Sequence, residues 1–267
     1  MTAELPNYET LLDMATSYLG KVRDLLSSRG TKIPNTHGAF ASMVVAFCWK
    51  QEDHAGAMLT LGKHRDVQLI ARSMIEGLCQ IKWAAQDPES RAERWRLFAW
   101  VHDWRLLRRD HKVGRPVPSD TEDRIRDGLA QHGHLFLKAK ARKKQDRPGR
   151  DPYVQHWSGR SVAQLCEEVK GERLYEWPYA TFSDWHHWSP GGVVPAFKEE
   201  GRKVTFPQPS AQDVLPSFAV AFQCLYETIE LANTTFSLGA GDDLRRIREG
   251  YLRDLTPARS DFEARTE

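Results

Sequence analysis

Apolar residues recur every three or four positions along most of this chain, and that spacing constrains its fold more than any other feature. The repeat places apolar side chains on one face of an α-helix, and that face has to be buried against other helices. Strand patterns do not alternate with the helical ones, so we predict an all-α fold, a single multi-helix bundle. The predicted helices cover about 8–28, 37–62, 64–86, 120–143, 161–169, 210–238 and 241–254, with a further helix that starts at Pro88.

Two of these helices have recognisable start signals. Asp87 followed by Pro88 predicts an N-cap and a proline at the first helical position. Ser119 and Glu122 have the spacing of a capping box, in which each side chain bonds to the other residue's backbone. Both signals support separate helices on either side of residue 115.

Turn-forming residues indicate how the domain is organised. Residues 144–160 are rich in proline, glycine and charge, which predicts an exposed loop. Ser-Pro-Gly-Gly at 189–192 ends a helix, and two short apolar runs within 193–206 predict a small hairpin or arm. We expect a helical bundle domain over 1–240, followed by a basic C-terminal helix and polar tail over 241–267.

The composition excludes several classes of protein. The 267 residues suffice for one large domain, and a hydrophobic content of 40% with nine tryptophans excludes wholesale disorder. The mean hydropathy is −0.58, and no uncharged apolar run approaches the ~18 residues of a membrane span. We expect no membrane partner and, because the first residues lack the pattern of a signal peptide, a cytoplasmic protein.

Cysteine usage agrees with a reducing compartment. Cys48, Cys79, Cys166 and Cys224 are widely spaced, and none forms a Cys-x-x-Cys pair. Three of the four lie within apolar helical runs, where a free thiol packs as a small hydrophobic side chain.

Polar residues within two helical segments form the first candidate site. Arg72 and Glu76 are four residues apart, so they share one face of an otherwise apolar helix. Tyr179, Ser183 and His187 are also four apart and align just before a helix end. Isolated buried charge is costly, so the Arg-Glu pair must be ion-paired, solvated or functional.

These residues resemble a known family. Arg-Ser-x-x-Glu at 72–76 and Tyr-x3-Ser-x3-His-x-Ser-Pro at 179–190 resemble the pattern of a bacterial all-helical family of unknown function, number five-six-seven-seven of its series. The resemblance covers about 8–237 in helix order, and the family is similar to the HEPN group of helical bundles. Many HEPN proteins are metal-independent ribonucleases or nucleotide-binding partners in toxin and defence systems, and they often act as dimers. The resemblance implies an RNA or nucleotide ligand, a homodimer and five site residues: Arg72, Glu76, Tyr179, Ser183 and His187.

HEPN nucleases use an arginine followed after four to six residues by a histidine. Cleavage of RNA by its 2′-hydroxyl needs a proton acceptor and a cation on the phosphate. The chain has four such spacings, a number close to what 25 arginines and ten histidines give by chance, so the spacing alone is no evidence. A polar residue follows the arginine in two of these pairs, Arg126 with His132 and Arg150 with His156, and the second lies in a loop that contains Pro152. Arg126 with His132 is therefore preferred; the alternative is a solvated helix face.

A metal site is not expected. Donor atoms suitable for binding Zn²⁺ or a harder ion are present on Glu76, Asp184, His186 and His187. Adjacent histidines point about 100° apart on a helix, however, so both cannot easily bind one ion. No other cofactor is expected, and it stays open which of the two imidazoles matters.

The net charge of +2 conceals an uneven distribution. Residues 91–150 contain 17 basic and 8 acidic residues, a net of +9, whereas the rest of the chain contains 21 and 28, a net of −7. Seven cations stand against one acidic residue within 138–150, which predicts contact with nucleic acid, the alternative being a solvated charge run. The seven are Lys138, Lys140, Arg142, Lys143, Lys144, Arg147 and Arg150.

Two functional hypotheses follow. The first is a cytoplasmic protein that acts on RNA or a nucleotide, as a metal-independent ribonuclease toxin or defence effector. In it, His187 or His132 is the base and Arg72 or Arg126 holds the phosphate. The second is a non-catalytic binding or assembly module, in which the network around Arg72 is structural.

Overall fold

The computed structural model describes residues 7–29, 38–142, 150–187, 189–200 and 203–264, and most of them are helical. The all-α prediction is confirmed. The helices of the described part are α1 (Tyr8–Arg29), α2 (Gly38–Leu61), α3 (Val67–Ala85), α4 (Pro88–Leu97), α5 (Ala99–Lys112), α6 (Ser119–His132), α7 (Ala139–Arg142), α8 (Val162–Glu168), α9 (Glu172–Leu174), α10 (Ala180–His186), α11 (Pro190–Val193), α12 (Ala211–Phe236) and α13 (Gly241–Ala264). Other elements are 3₁₀ turns at Gly133–Phe136 and Val194–Ala196, a π-helix at Tyr175–Tyr179, and strands β1 (Lys198–Glu200) and β2 (Lys203–Thr205).

The long apolar helix α12 forms the centre of the bundle and packs against α1, α2 and α3. Phe218, Leu225 and Ile229 on this helix are completely or almost completely buried. Its first turn is fixed by the capping box between Ser210 and Asp213. Because α3 packs on this central helix, the motif at 72–76 lies on a rigid element.

A smaller apolar cluster lies apart from this core, between α5, α6 and the turn at Gly133–Phe136. Its fully or nearly buried members are Leu97, Val101 and Phe136. Arg94 joins this cluster to the bundle, since its guanidinium donates to the backbone oxygens of Trp157 and Leu135. We call residues 97–142 and 150–154 the basic lobe.

Two predicted helix boundaries in the basic lobe are wrong. Ser119 is the first residue of α6 instead of its N-cap, and its side chain makes no cap hydrogen bond; Pro118 is at the cap position. The capping box fails because the helix starts one residue too early for the serine hydroxyl to cap it. The helix predicted over 120–143 ends at His132, where the chain tightens into a 3₁₀ turn.

The predicted hairpin is present, but its strands are shifted. β1 and β2 are antiparallel, with Lys198 opposite Thr205 and Glu199 opposite Val204. Residues 193–196, which were expected to be extended, complete α11 and a 3₁₀ turn.

The C-terminal helix is longer than predicted. α13 continues through residues expected to be a polar tail and packs along α1. The Tyr18 hydroxyl donates to Asp254 at 2.5 Å, and the Tyr18 and Tyr251 rings meet edge to face. Helices in the described ranges lack the length and apolarity needed to cross a membrane.

Candidate functional site

Four of the five residues in the first candidate site form one hydrogen-bonded network. Arg72 Nε donates to Ser183 Oγ at 3.0 Å, and Arg72 Nη2 donates to the Tyr179 hydroxyl at 2.9 Å. The Tyr179 hydroxyl donates to Glu76 Oε1 at 2.9 Å, and that oxygen also lies 3.1 Å from Arg72 Nη2. The predicted link between the 72–76 motif and the 179–183 motif is therefore a direct contact.

A π-helix brings the second motif to the first. The Ala180 N–H bonds to the oxygen of Tyr175, five residues earlier, as is typical of a π-helix. Pro178 lies inside this wide turn and has no N–H to donate. After this wide turn, Tyr179 and Ser183 are one turn apart on the face towards α3. Ser183 Oγ also donates to the Tyr179 backbone oxygen at 2.6 Å, which fixes the hydroxyl that Arg72 contacts.

The network is half-buried and electrically neutral. The exposed fractions of the Arg72 and Glu76 side chains are 19% and 29%. Burial, together with the nearby Glu76 carboxylate, raises the pKa of Tyr179 to about 12, so its hydroxyl stays protonated and can donate. Glu76 balances the charge of Arg72, and two of the three guanidinium nitrogens bond within the network. Such an arrangement can hold α10 on α3.

His187 lies outside this network. α10 ends at His186, so His187 occupies the C-cap position and its N–H bonds to the Ser183 oxygen at 2.9 Å. Both histidines are exposed, and their rings contact each other with centroids 4.7 Å apart. Among the described residues, the His187 side chain makes no hydrogen bond to Arg72, Glu76, Tyr179 or Ser183.

A serine and a histidine next to the network have no counterpart among the predicted site residues. Ser73 Oγ and His54 Nε2 are 2.9 Å apart, between α3 and α2. Burial, then the charge of Lys50, lowers the pKa of His54, so this imidazole favours its neutral form. Ser73 stands inside the 72–76 motif, but no sequence spacing pointed to His54, since it lies on another helix.

Arg126 and His132 do not form a pair. Arg126 is exposed and ion-paired with Glu122, one turn earlier on α6. Six residues of α-helix rotate the side chain by about 240°, so the two point in different directions. The other oxygen of Glu122 lies 3.4 Å from Nε2 of His111 on α5. The predicted arginine is therefore grouped with a histidine from the neighbouring helix.

The predicted cationic run lies only partly within the described residues. Lys140 and Arg150 are exposed, whereas Lys138 is half-buried and its Nζ donates to the Asp151 backbone oxygen at 2.8 Å. Arg142 ends α7, and the other three, Lys143, Lys144 and Arg147, lie outside the described residues.

Metal binding finds no support in the part of the chain that can be described. No group of three or more His, Cys, Asp or Glu side chains there could hold an ion.

Comparison with family models of known proteins gives a match. Neither a curated protein nor a solved structure matches this chain. A family model matches residues 55–203, a range that contains both motifs of the network as well as the basic lobe. Since more than half of the 267 residues match, the chain belongs to the family of unknown function DUF5677.

Proposed function

We propose that this protein binds RNA or a nucleotide and that the basic lobe holds the phosphates. One observation supports the proposal most strongly: exposed cations gather on the lobe, and several have no ion-pair partner among the described residues. These cations are Arg109, Lys112, Arg124, Lys140 and Arg150.

Unpaired cations on one part of a surface suit a polyanion. A phosphate backbone releases counterions when lysine and arginine side chains replace them, and this drives association. The lobe itself contains 11 basic and 7 acidic residues, a net charge of +4, and it makes up most of the segment 91–150, whose net charge is +9. Cations at the C-terminal end of α5 also stabilise its helix dipole, but that role predicts no affinity for RNA.

Ribonuclease activity is the second candidate, and one contact favours it. Glu122 lies between the His111 imidazole and the Arg126 guanidinium on the lobe surface. A carboxylate that orients an imidazole beside a guanidinium supplies a proton acceptor and a cation without a metal. In this reaction His111 accepts the 2′-hydroxyl proton, and Arg126 stabilises charge on the phosphate.

The cellular setting is part of the proposal. Resemblance to HEPN proteins supports a place in a toxin or defence system, and four free, buried cysteines are consistent with the cytoplasm. The homodimer stays a prediction from the resemblance. The mutual hydrogen bonding around Arg72 favours the structural role that the alternative hypothesis gave it.

Binding of a labelled single-stranded RNA, measured by fluorescence anisotropy, tests the proposal. We expect Arg109→Gln combined with Lys112→Gln to weaken binding by about fivefold or more near physiological salt. Arg173→Gln combined with Lys203→Gln removes two exposed cations elsewhere and serves as the matched control. Equal affinities for all three proteins, or no binding by the unchanged protein, would contradict the proposal.

Gel analysis of the same RNA decides the second candidate. Cleavage by the unchanged protein that is lost in His111→Ala, but retained in His132→Ala and His187→Ala, supports the proposed roles. If RNA is bound and no protein cleaves it, the protein is a binding module and the ribonuclease candidate is rejected.

A further inference from the structure

Two cysteines far apart in sequence meet in the core of the bundle. Cys79 lies on α3, Cys166 lies on α8, and their sulfur atoms are 2.8 Å apart. Their exposed fractions are 1% and 0%. This contact plays no part in the proposed binding of RNA, and it joins the helix of the 72–76 motif to a short helix that follows the basic lobe.

The surrounding contacts fix the two helices relative to each other. Trp83 Nε1 donates to the Glu168 carboxylate at 2.6 Å, and Gln86 Nε2 donates to the Glu168 backbone oxygen at 2.9 Å. On α3 the two donors lie one and two turns after Cys79, and on α8 the acceptor lies two residues after Cys166. The sulfur atoms therefore need to approach by less than about 1 Å to reach the disulfide length of about 2.05 Å.

We propose that Cys79 and Cys166 form a reversible disulfide when the protein meets hydrogen peroxide. Burial of both sulfur atoms favours this oxidant, since peroxide is small and uncharged whereas a disulfide such as oxidised glutathione is bulky. The pair is a modification site that ties α3 to α8 in the oxidised protein and leaves them joined by packing and hydrogen bonds in the reduced one.

The reaction divides into two balanced steps. The thiolate of Cys166 attacks one peroxide oxygen, the O–O bond breaks, and the departing hydroxide takes up a proton to become water. Cys79 then attacks the sulfur of the sulfenic acid left on Cys166, the S–O bond breaks, and the second water leaves with the Cys79 proton. Two thiols are oxidised by two electrons in total, and one peroxide is reduced to two waters.

The order of attack follows from the hydrogen bond between the thiols. The bond from Cys79 lowers the pKa of Cys166, which favours a thiolate there, and it raises the pKa of Cys79. Thiolates are the nucleophiles in this chemistry, so the Cys166 thiolate is the one that attacks peroxide first. A dithiol such as dithiothreitol returns the pair to its reduced form.

Peptide mapping of the whole chain tests this proposal. The protein is treated with peroxide, unfolded, alkylated and cut with trypsin, which places the two cysteines in separate peptides, 73–82 and 161–170. We expect these peptides to be cross-linked after peroxide and separate after dithiothreitol. We also expect the oxidised protein to melt about 5 °C or more above the reduced one, because the bridge closes a long loop.

Matched variants separate this pair from the other thiols. Cys48→Ala combined with Cys224→Ala removes the two buried cysteines outside the pair and should retain the cross-link. Cys166→Ala should abolish it and leave Cys79 free to alkylate. Four alkylated cysteines after peroxide, a sulfinic acid at Cys166 without a cross-link, or a bridge to Cys224 would each overturn the proposal.

Discussion

The hydroxyl of Tyr179 connects two charged side chains that would otherwise meet through a single ion pair. It accepts a hydrogen bond from Arg72 and donates one to Glu76. The Tyr179 ring also lies against the guanidinium, with the Cζ atom of Arg72 4.9 Å from the ring centroid. One hydroxyl therefore satisfies a donor and an acceptor that are half-buried. The pKa of about 12 follows first from burial of the hydroxyl and then from Glu76, beside which ionisation would place a second negative charge.

Tyr179→Phe should lower the free energy of unfolding by about 1–2 kcal/mol at neutral pH, because two hydrogen bonds are lost while the ring remains. The folded-state pKa exceeds the ordinary value of 10.0, so the stabilisation is complete below pH 10 and is lost as pH rises through 12. Between pH 10 and 12, the free energy of unfolding should therefore fall less for the variant than for the unchanged protein. Urea unfolding across this pH range measures both effects.

Tyr175→Phe is the matched control for this measurement. Its ring stacks on Tyr179 at 5.2 Å, but its hydroxyl has no hydrogen-bond partner among the residues described. Equal effects of the two substitutions would show that the hydroxyl of Tyr179 does not support the network.

At the scale of whole elements, apolar spacing was enough to predict the long helices but not the turns that position the site. α2 and α12 were predicted nearly to the residue, because both have extended apolar faces and clear ends. The π-helix at Tyr175–Tyr179 was not predicted, since a proline within an aromatic run has no spacing that distinguishes a π-turn from a helix end.

The same limit applies to the candidate site. Alignment of Tyr179 with Ser183 follows from the four-residue repeat, and the structure confirms that they share a face. His187 fits that repeat equally well and its N–H still bonds to the Ser183 oxygen, but it lies at the C-cap, and its side chain does not join the network among the described residues. Contacts between helices, such as His54 with Ser73, depend on packing that sequence spacing does not report.

At Gly192, α11 packs closely against the backbone of α10. A Cβ at this position would lie 2.4 Å from the backbone of Asp184 and Trp185, whereas one at Gly191 would meet its nearest neighbour at 3.5 Å. Backbone atoms cannot move aside as a side chain can, so we expect Gly192→Ala to cost about 1–3 kcal/mol. Gly191→Ala should cost less than about 1 kcal/mol.

Thermal unfolding of the two glycine variants checks this expectation, and the exposed position of Gly191 makes it a close control. Equal melting temperatures would contradict the tight contact between α11 and α10.

At the scale of the molecule, the part of the chain that contains the smaller apolar cluster is also the part with excess positive charge. Residues 91–150 have a net charge of +9 and contain all of the basic lobe except 151–154, together with its apolar cluster, whereas the remainder of the chain has a net charge of −7. A polyanion is therefore attracted to the lobe and repelled by much of the remaining surface, which orients it before contact.

This asymmetry predicts a strong salt dependence of RNA binding by the unchanged protein. Each phosphate contact with single-stranded nucleic acid contributes about −0.7 to the slope of log K against log salt concentration. Replacing Arg109 and Lys112 with glutamine should make that slope shallower by about 1 to 1.5, and should weaken binding most at low salt. The Arg173→Gln, Lys203→Gln control should keep the slope of the unchanged protein. An unchanged slope in the lobe variant would mean that phosphates bind elsewhere, because removal of two contacting cations must release fewer counterions.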